Sequence, residues 1–254
     1  MKFNFKNKRV LITGASGGVG AATARLFARF GAQVALHYHQ NSAKAEEVCK
    51  SLDGKKHQLF QADLYEKEAG VKLVERVILA FGGIDVLINN AGIYKEHPQE
   101  ETSLEAWMEV WENSLNINLR APAHISYLAS KFMVQNGGGK IINITSRGAF
   151  RGEPTAAAYG AAKAGLNSMS QSMAKALGAK KVFVYAVAPG FIETDMVQYL
   201  LEGQEADFYK NQSPLARFSK PEEIAQTIAF LASEGTDYLT GGIIDVNGAS
   251  YLRS

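Results

Sequence analysis

Val10-Leu11-Ile12-Thr13-Gly14-Ala15-Ser16-Gly17-Gly18-Val19-Gly20 carries an apolar run straight into a glycine-rich turn, and Ala21 to Phe30 continues with helical spacing. Ala24, Phe27 and Ala28 share one face of that helix, and Gly31 stands where a C-terminal stop is expected. A short buried strand, a tight turn and a helix make the first half of a βαβ unit. Glycines in such a turn let the backbone approach a pyrophosphate, whose charge then meets free N–H groups at the helix N-terminus. The literal G-x-G-x-x-G is absent, because Ser16 occupies the second glycine position; the pattern is T-G-x-x-x-G-x-G.

Outward from this unit the alternation continues to the end of the chain. Strand patterns fall at 34–38, 58–60, 85–89, 140–145, 182–187 and near 242–246, and helical patterns at 43–51, 66–81, 104–111, 114–135, 156–177 and 221–232. No repeat, low-complexity tract or linker divides the chain. Strands alternating with helices predict an α/β fold: a single doubly wound (Rossmann-type) domain over 1–254, with a central, mostly parallel seven-stranded sheet flanked by helices. Ligands of such folds bind outside the carboxyl ends of the strands, so functional motifs are expected just after strands.

Composition narrows the class. Of 254 residues, 46% are apolar and 20% charged, enough to bury a sizeable core. A net charge of +2 offers no basic footprint for nucleic acid or an anionic membrane. The single cysteine, Cys49, excludes an intrachain disulfide, and its helical setting fits an inert thiol. The N-terminal segment lacks the apolar stretch of a secretory signal, and no apolar run approaches the ~20 residues of a membrane span. A cytoplasmic protein is expected, with no metal site.

Tyr159-Gly160-Ala161-Ala162-Lys163 sets a phenol and an ammonium at i and i+4 on one helix face. A free phenol has a pKa near ~10. A neighbouring cation favours the phenolate, which would bring Tyr159 nearer to the working pH as a proton donor. Ser146 follows the fifth strand directly, thirteen positions before Tyr159, where its hydroxyl can stabilise charge developing on a substrate oxygen. Asn118 lies four residues before Pro122, which has no N–H, so the Asn118 carbonyl loses its usual helical partner. That carbonyl is free to bind a water linking Lys163 to solvent.

With these residues in place, the chain resembles the short-chain dehydrogenase/reductase family from Thr13 to Thr194. Asn89-Asn90-Ala91-Gly92 is similar to the family's N-N-A-G, and Asp63-Leu64 to its adenine-contacting acidic-aliphatic pair. Pro189-Gly190-Phe191-Ile192-Glu193-Thr194 is similar to the P-G-x-x-x-T segment that holds the nicotinamide amide. The resemblance implies a catalytic tetrad of Asn118, Ser146, Tyr159 and Lys163, with Asn113 and Asn116 as rivals for the first place. It also implies cofactor contacts at Gly14, Ser16, Gly18, Val19, Gly20, His39, Asp63, Leu64, Asn90, Ala91, Gly92, Tyr159, Lys163, Pro189, Gly190, Ile192 and Thr194.

The activity so implied is hydride transfer between NAD(P) and a carbonyl/secondary alcohol pair. NADP(H) is favoured over NAD(H), because the second strand ends His37-Tyr38-His39-Gln40 without the carboxylate that rejects a 2′-phosphate. His39 and Lys44, with Asn41 and Ser42, are the candidates to meet that phosphate; a solvated loop is the other reading of the two histidines. The run from Val187 to Met196 resembles 3-oxoacyl-[acyl-carrier-protein] reductases, which implies a small-molecule carbonyl substrate, possibly carrier-bound. Lys140, Lys175, Lys180 and Lys181 are either a docking face for an acidic carrier or a solvated face. Sugar, polyol and small-ketone dehydrogenases stay open, as does a non-catalytic dinucleotide sensor. A lid is expected over about 191–220, with Tyr199, Phe208, Tyr209 and Phe218 as its aromatics. Trp107 and Trp111 are expected in the core or at a subunit contact of a homotetramer or homodimer.

Overall fold

Successive residues of a strand face opposite sides of a sheet, so a strand covered on both sides must be apolar throughout. The computed structural model, which describes residues 3–194 and 206–253, follows this over most of its inner strands. Its strands are β1 (Arg9–Ile12), β2 (Gln33–Tyr38), β3 (Gln58–Gln61), β4 (Val86–Asn89), β5 (Gly139–Ile144), β6 (Val182–Pro189) and β7 (Ile243–Val246). They form one parallel sheet in the order β3-β2-β1-β4-β5-β6-β7. The helices are α1 (Gly18–Arg29), α2 (Ser42–Lys50), α3 (Ala69–Phe81), α4 (Leu104–Leu115), α5 (Ala121–Gln135), α6 (Gly148–Arg151), α7 (Ala157–Leu177), α8 (Ala206–Lys210) and α9 (Pro221–Ala232).

Two cores follow from the strand alternation. Val10, Ile12, Val34, Leu36, Val86, Ile88, Ile142 and Ile144 point to one face, beneath Ala24 and Phe27 of α1 and Ile224 and Ile228 of α9. Leu11, Ala35, Leu87 and Ile141 point to the other, beneath Leu73 and Val77 of α3 and Ile125 and Ala129 of α5. The sheet winds from β1 out to β3 and from β4 out to β7, so chain order reverses between β1 and β4. The crevice at their carboxyl ends is the binding position of such folds.

The departures from the sequence reading have physical causes. α1 begins at Gly18 rather than Ala21, since the end of the glycine turn is itself wound into the helix. The two helices read between 104 and 135 are one continuous stretch, in which Asn116–Arg120 widens into a π turn and the Ala121 N–H reaches the Asn116 carbonyl. Pro122 is the reason, because it cannot donate to Asn118 and the ladder passes it in wider register. α6 and α8 were not expected: at four and five residues they are too short to show a period. The two tryptophans are half-buried on α4, with ring centroids 6.1 Å apart.

Candidate active site

At the carboxyl end of β1 the glycine turn is held by its neighbours on both sides. Thr13 Oγ accepts hydrogen bonds from the Asn90 and Ala91 N–H groups, and Asn90 Nδ2 donates to the Thr13 and Gly14 carbonyls. Gly14 has φ +65°, and a Cβ there would lie 2.9 Å from Ala91 Cα. A Cβ on Gly18 would lie 3.0 Å from the Thr194 methyl, so the segment after β6 closes over the turn. The N-terminus of α1 has no side-chain cap, and space beside Gly17 is open. These residues fit a dinucleotide: an uncapped helix end, glycines that bring backbone against backbone, and strand-end segments from β4 and β6 converging on it.

His37 is a buried member of β2, 2% exposed, and not part of a solvated loop. Its Nδ1 accepts the Gly14 N–H at 3.1 Å, and its Nε2 lies 3.1 Å from the Ala62 carbonyl. The two bonds require the neutral Nε2–H tautomer. Burial, before the nearby His39 and Arg76 charges, lowers its pKa to about 4; the Ala62 carbonyl and Asp63 oppose the shift. Because the folded value lies below the unfolded one, this group's stabilisation is fully present above pH 6.5 and is lost as pH falls from 6.5 through 4. About 3 kcal/mol is expected to go in that window. Urea unfolding at pH 7.5 and pH 4.5 measures it, and His37→Asn should flatten the slope between those values.

His39 is exposed and sits 3.3 Å from Asp63, beside the buried Leu64. Asn41 accepts the Lys44 N–H as the cap of α2, so its oxygen is already engaged.

Ser146 and Tyr159 come together beyond β5. Both are half-buried; Ser146 Oγ also accepts the Gly148 N–H at 3.0 Å. The Tyr159 ring packs edge-on against Tyr94 at 5.2 Å, and Lys163 Nζ stands 5.7 Å from its centroid. Lys163 is buried, and its Nζ donates to the Ile144 carbonyl at 2.8 Å. The expected lowering of the phenol by Lys163 is not what the structure shows. Burial pushes Tyr159 up to about 12, a hydrogen bond with Ser146 opposes the rise, and Glu153 adds to it. Burial lowers Lys163 to about 8. The ammonium is directed to a carbonyl rather than to the phenol, so Tyr159 keeps its proton at neutral pH.

Asn118 is fully buried, and its side chain is pinned at both atoms: Oδ1 accepts the Ile93 N–H and Nδ2 donates to the Ile93 carbonyl, each at 3.0 Å. A Cβ on Gly92 would lie 2.8 Å from Asn118 Oδ1 and 3.4 Å from Lys163 Nζ. Gly92 is therefore what lets Asn118 and Lys163 share this corner. Asn113 and Asn116 pair instead with Glu109 and Glu112 on α4.

Some supporting roles went unread in the sequence. Asn89 Nδ2 donates to Ser126 Oγ and Asn143 Oδ1, and Asn143 Nδ2 to Ser170 Oγ, a buried chain from β4 through β5 to α7. Its signal was available: an asparagine interrupts each of two apolar strands at register-paired positions. His97 accepts the Ala158 N–H at the start of α7 and meets Trp107 edge-on. Lys140 is tied to Ser233, Thr236 and Asp237 and does not form a free docking face, whereas Lys175, Lys180 and Lys181 are exposed. Of the lid aromatics, Phe218 is buried under Phe191, Tyr209 meets Phe191 edge-on and Phe208 is exposed. Tyr199 lies outside the described residues. Among the described residues no cluster suits a metal ion, and no helix is long and apolar enough to cross a membrane.

The chain has known relatives over nearly its whole length. Residues 14–249 match the family model described as Enoyl-(Acyl carrier protein) reductase. The 3-oxoacyl-[acyl-carrier-protein] reductase FabG of Thermotoga maritima is 36% identical over 245 residues, 96% of this chain and 97% of the relative. A short chain dehydrogenase of Burkholderia cenocepacia, solved with NADP, superposes with a TM-score of 0.89 at 31% identity, over 97% of this chain and 99% of that one. A Brucella melitensis protein described as a short-chain dehydrogenase/reductase, glucose/ribitol dehydrogenase, gives 0.90 at 35% identity with all of both chains covered.

Proposed function

The chain belongs to the short-chain dehydrogenase/reductase family of NAD(P)-dependent oxidoreductases, and from that premise we propose that it reduces a 3-oxoacyl thioester, carried by an acyl carrier protein, with NADPH. The observation that carries the reading is the meeting of Ser146, a protonated Tyr159, Lys163 and Asn118 beside the glycine turn. The name of the Thermotoga relative supports the thioester. The NADP in the Burkholderia structure and the absence of a carboxylate at the end of β2 support the choice of cofactor.

The nicotinamide, when bound, supplies the hydride. Gly14, Ser16, Gly18, Val19 and Gly20 would hold the pyrophosphate, and Asp63 and Leu64 the adenine. Asn90, Ala91 and Gly92 would support the cofactor from the end of β4, and Pro189, Gly190, Ile192 and Thr194 would hold the nicotinamide. His39 takes the 2′-phosphate. Ser146 Oγ donates to the substrate carbonyl oxygen, and Tyr159 Oη gives that oxygen its proton. Lys163 adds positive charge beneath the phenol, and Asn118 fixes the Gly92–Ile93 backbone beside it. In a single domain of 1–254, the described parts of the expected lid, 191–194 and 206–220, cover the substrate. Leu104, Met108 and Tyr127, exposed on α4 and α5, suit a subunit contact of a cytoplasmic homotetramer or homodimer.

The test is the loss of NADPH and NADH absorbance against acetoacetyl thioester, small ketones and keto-sugars. The thioester with NADPH is expected to give the highest kcat/KM. A keto-sugar ranking first would transfer the reading to the activity for which the Brucella protein is named.

A further inference from the structure

Three successive N–H groups of the glycine turn are committed to the protein itself. The Thr13 N–H donates to the Ile88 carbonyl of β4, and the Ala15 N–H to the His37 carbonyl at 2.8 Å. Between them, the Gly14 N–H donates to Nδ1 of the His37 ring at 3.1 Å. One residue of β2 therefore holds two consecutive N–H groups, one through its backbone and one through its side chain. Gly14 stands at φ +65°, in a region that glycine enters and leaves freely, so a partner on its N–H selects one shape of the turn from several.

The other side of the ring reaches the end of β3. Nε2 donates to the Ala62 carbonyl at 3.1 Å, and the Ala62 N–H donates back to the Tyr38 carbonyl of β2 at 3.1 Å. Ala62 directly precedes Asp63 and Leu64, the pair assigned to the adenine. The imidazole thus spans from the turn assigned to the pyrophosphate to the segment assigned to the base. It is 2% exposed and uses both nitrogens, so it is a rigid link that cannot shift at one end without straining the other. A buried polar ring is tolerated in an apolar strand only because both bonds are made.

We propose that His37 is a positioning residue for the dinucleotide: its ring is a strut that fixes the pyrophosphate turn and the adenine segment relative to each other. The inference deepens the cofactor assignment and rests on it, since Gly14 to Gly20 and Asp63–Leu64 must be the segments that the cofactor meets. With the strut intact, both segments stand ready together. With it cut, the fraction of molecules holding both in place falls, and the apparent Kd rises in inverse proportion.

Three variants divide the two bonds. His37→Leu removes both, His37→Asn keeps an amide oxygen where Nδ1 stands, and His37→Gln carries an amide to the place of Nε2. Fluorescence titration below the melting transition gives Kd for NADPH and for NADH. The tighter of the two is compared across variants, so a wrong choice between the cofactors leaves the test intact. His37→Leu is expected to weaken binding by about 10- to 100-fold. His37→Asn and His37→Gln should each recover part of that loss and neither the whole of it. Thermal melts are run beside the titrations. A side chain that only fills the core would lower Tm and leave the Kd of the folded protein at the wild-type value, and that result overturns the proposal. So does full recovery by His37→Asn or by His37→Gln, because one bond would then suffice. If His37→Leu does not fold, the two amide variants decide by the same criterion. A wild type that binds neither dinucleotide would overturn the cofactor assignment and the strut with it, whereas tight binding unchanged by the variants overturns the strut alone.

Discussion

Tyr159→Phe should lower carbonyl reduction by about 10²- to 10⁴-fold, the range that a positioned proton donor contributes, with the loss in kcat and the NADPH dissociation constant unchanged. The substitution removes only Oη. The ring that packs edge-on against Tyr94 stays, so the site keeps its shape and Ser146 keeps its place. With the phenol raised to about 12, wild type enters the reduction already carrying the proton it must give, and reduction should be flat through neutral pH. The reverse oxidation needs the phenolate and should accelerate as pH rises toward that value. Stopped-flow measurement of the first turnover isolates the step. Reduction surviving Tyr159→Phe at more than about half the wild-type rate would remove Tyr159 from the chemistry.

The residues that build this site were legible to different depths. Ser146, Tyr159 and Lys163 could be read because spacing along one helix and position after one strand are sequence-local quantities. Asn118 was set apart from Asn113 and Asn116 by the family resemblance, and Pro122 supported it, since a missing N–H four residues on has a local consequence; the structure expresses it as a π turn. The sheet was legible because strands apolar on both faces leave few alternatives. What escaped depends on distant neighbours. The imidazole of His37 and the guanidinium of Arg147 look like surface groups in a sequence; only the approach of Gly14 and Ala62, or of Phe191 and Gln212, reveals them as buried. The pKa of Tyr159 was misjudged for the same reason. The i and i+4 spacing gave the lysine but not the Ile144 carbonyl that accepts its hydrogen bond, nor the burial that raises the phenol.

Gly20→Ala should abolish dinucleotide binding and destabilise the protein by about 1–3 kcal/mol or more, the cost of forcing an atom into a packed interior. A Cβ on Gly20 would lie 2.1 Å from the Gly14 carbonyl oxygen and 2.7 Å from Asn90 Nδ2. Neither can step aside. The Gly14 carbonyl accepts from Asn90, and Asn90 in turn ties β1 to β4. Relief therefore requires the turn to lift off α1, which displaces the N–H groups that face the pyrophosphate. Gly17→Ala is the matched control, three residues earlier in the same turn. Its backbone is extended (φ −170°), with no atom within 4 Å of a new Cβ, so stability and NADPH binding should stay near wild type. Fluorescence titration with NADPH and thermal melts of both variants decide the point. Equal losses from both would mean that the turn tolerates no side chain at any position, and close approach of Gly14 to Gly20 would no longer be what specifies glycine there.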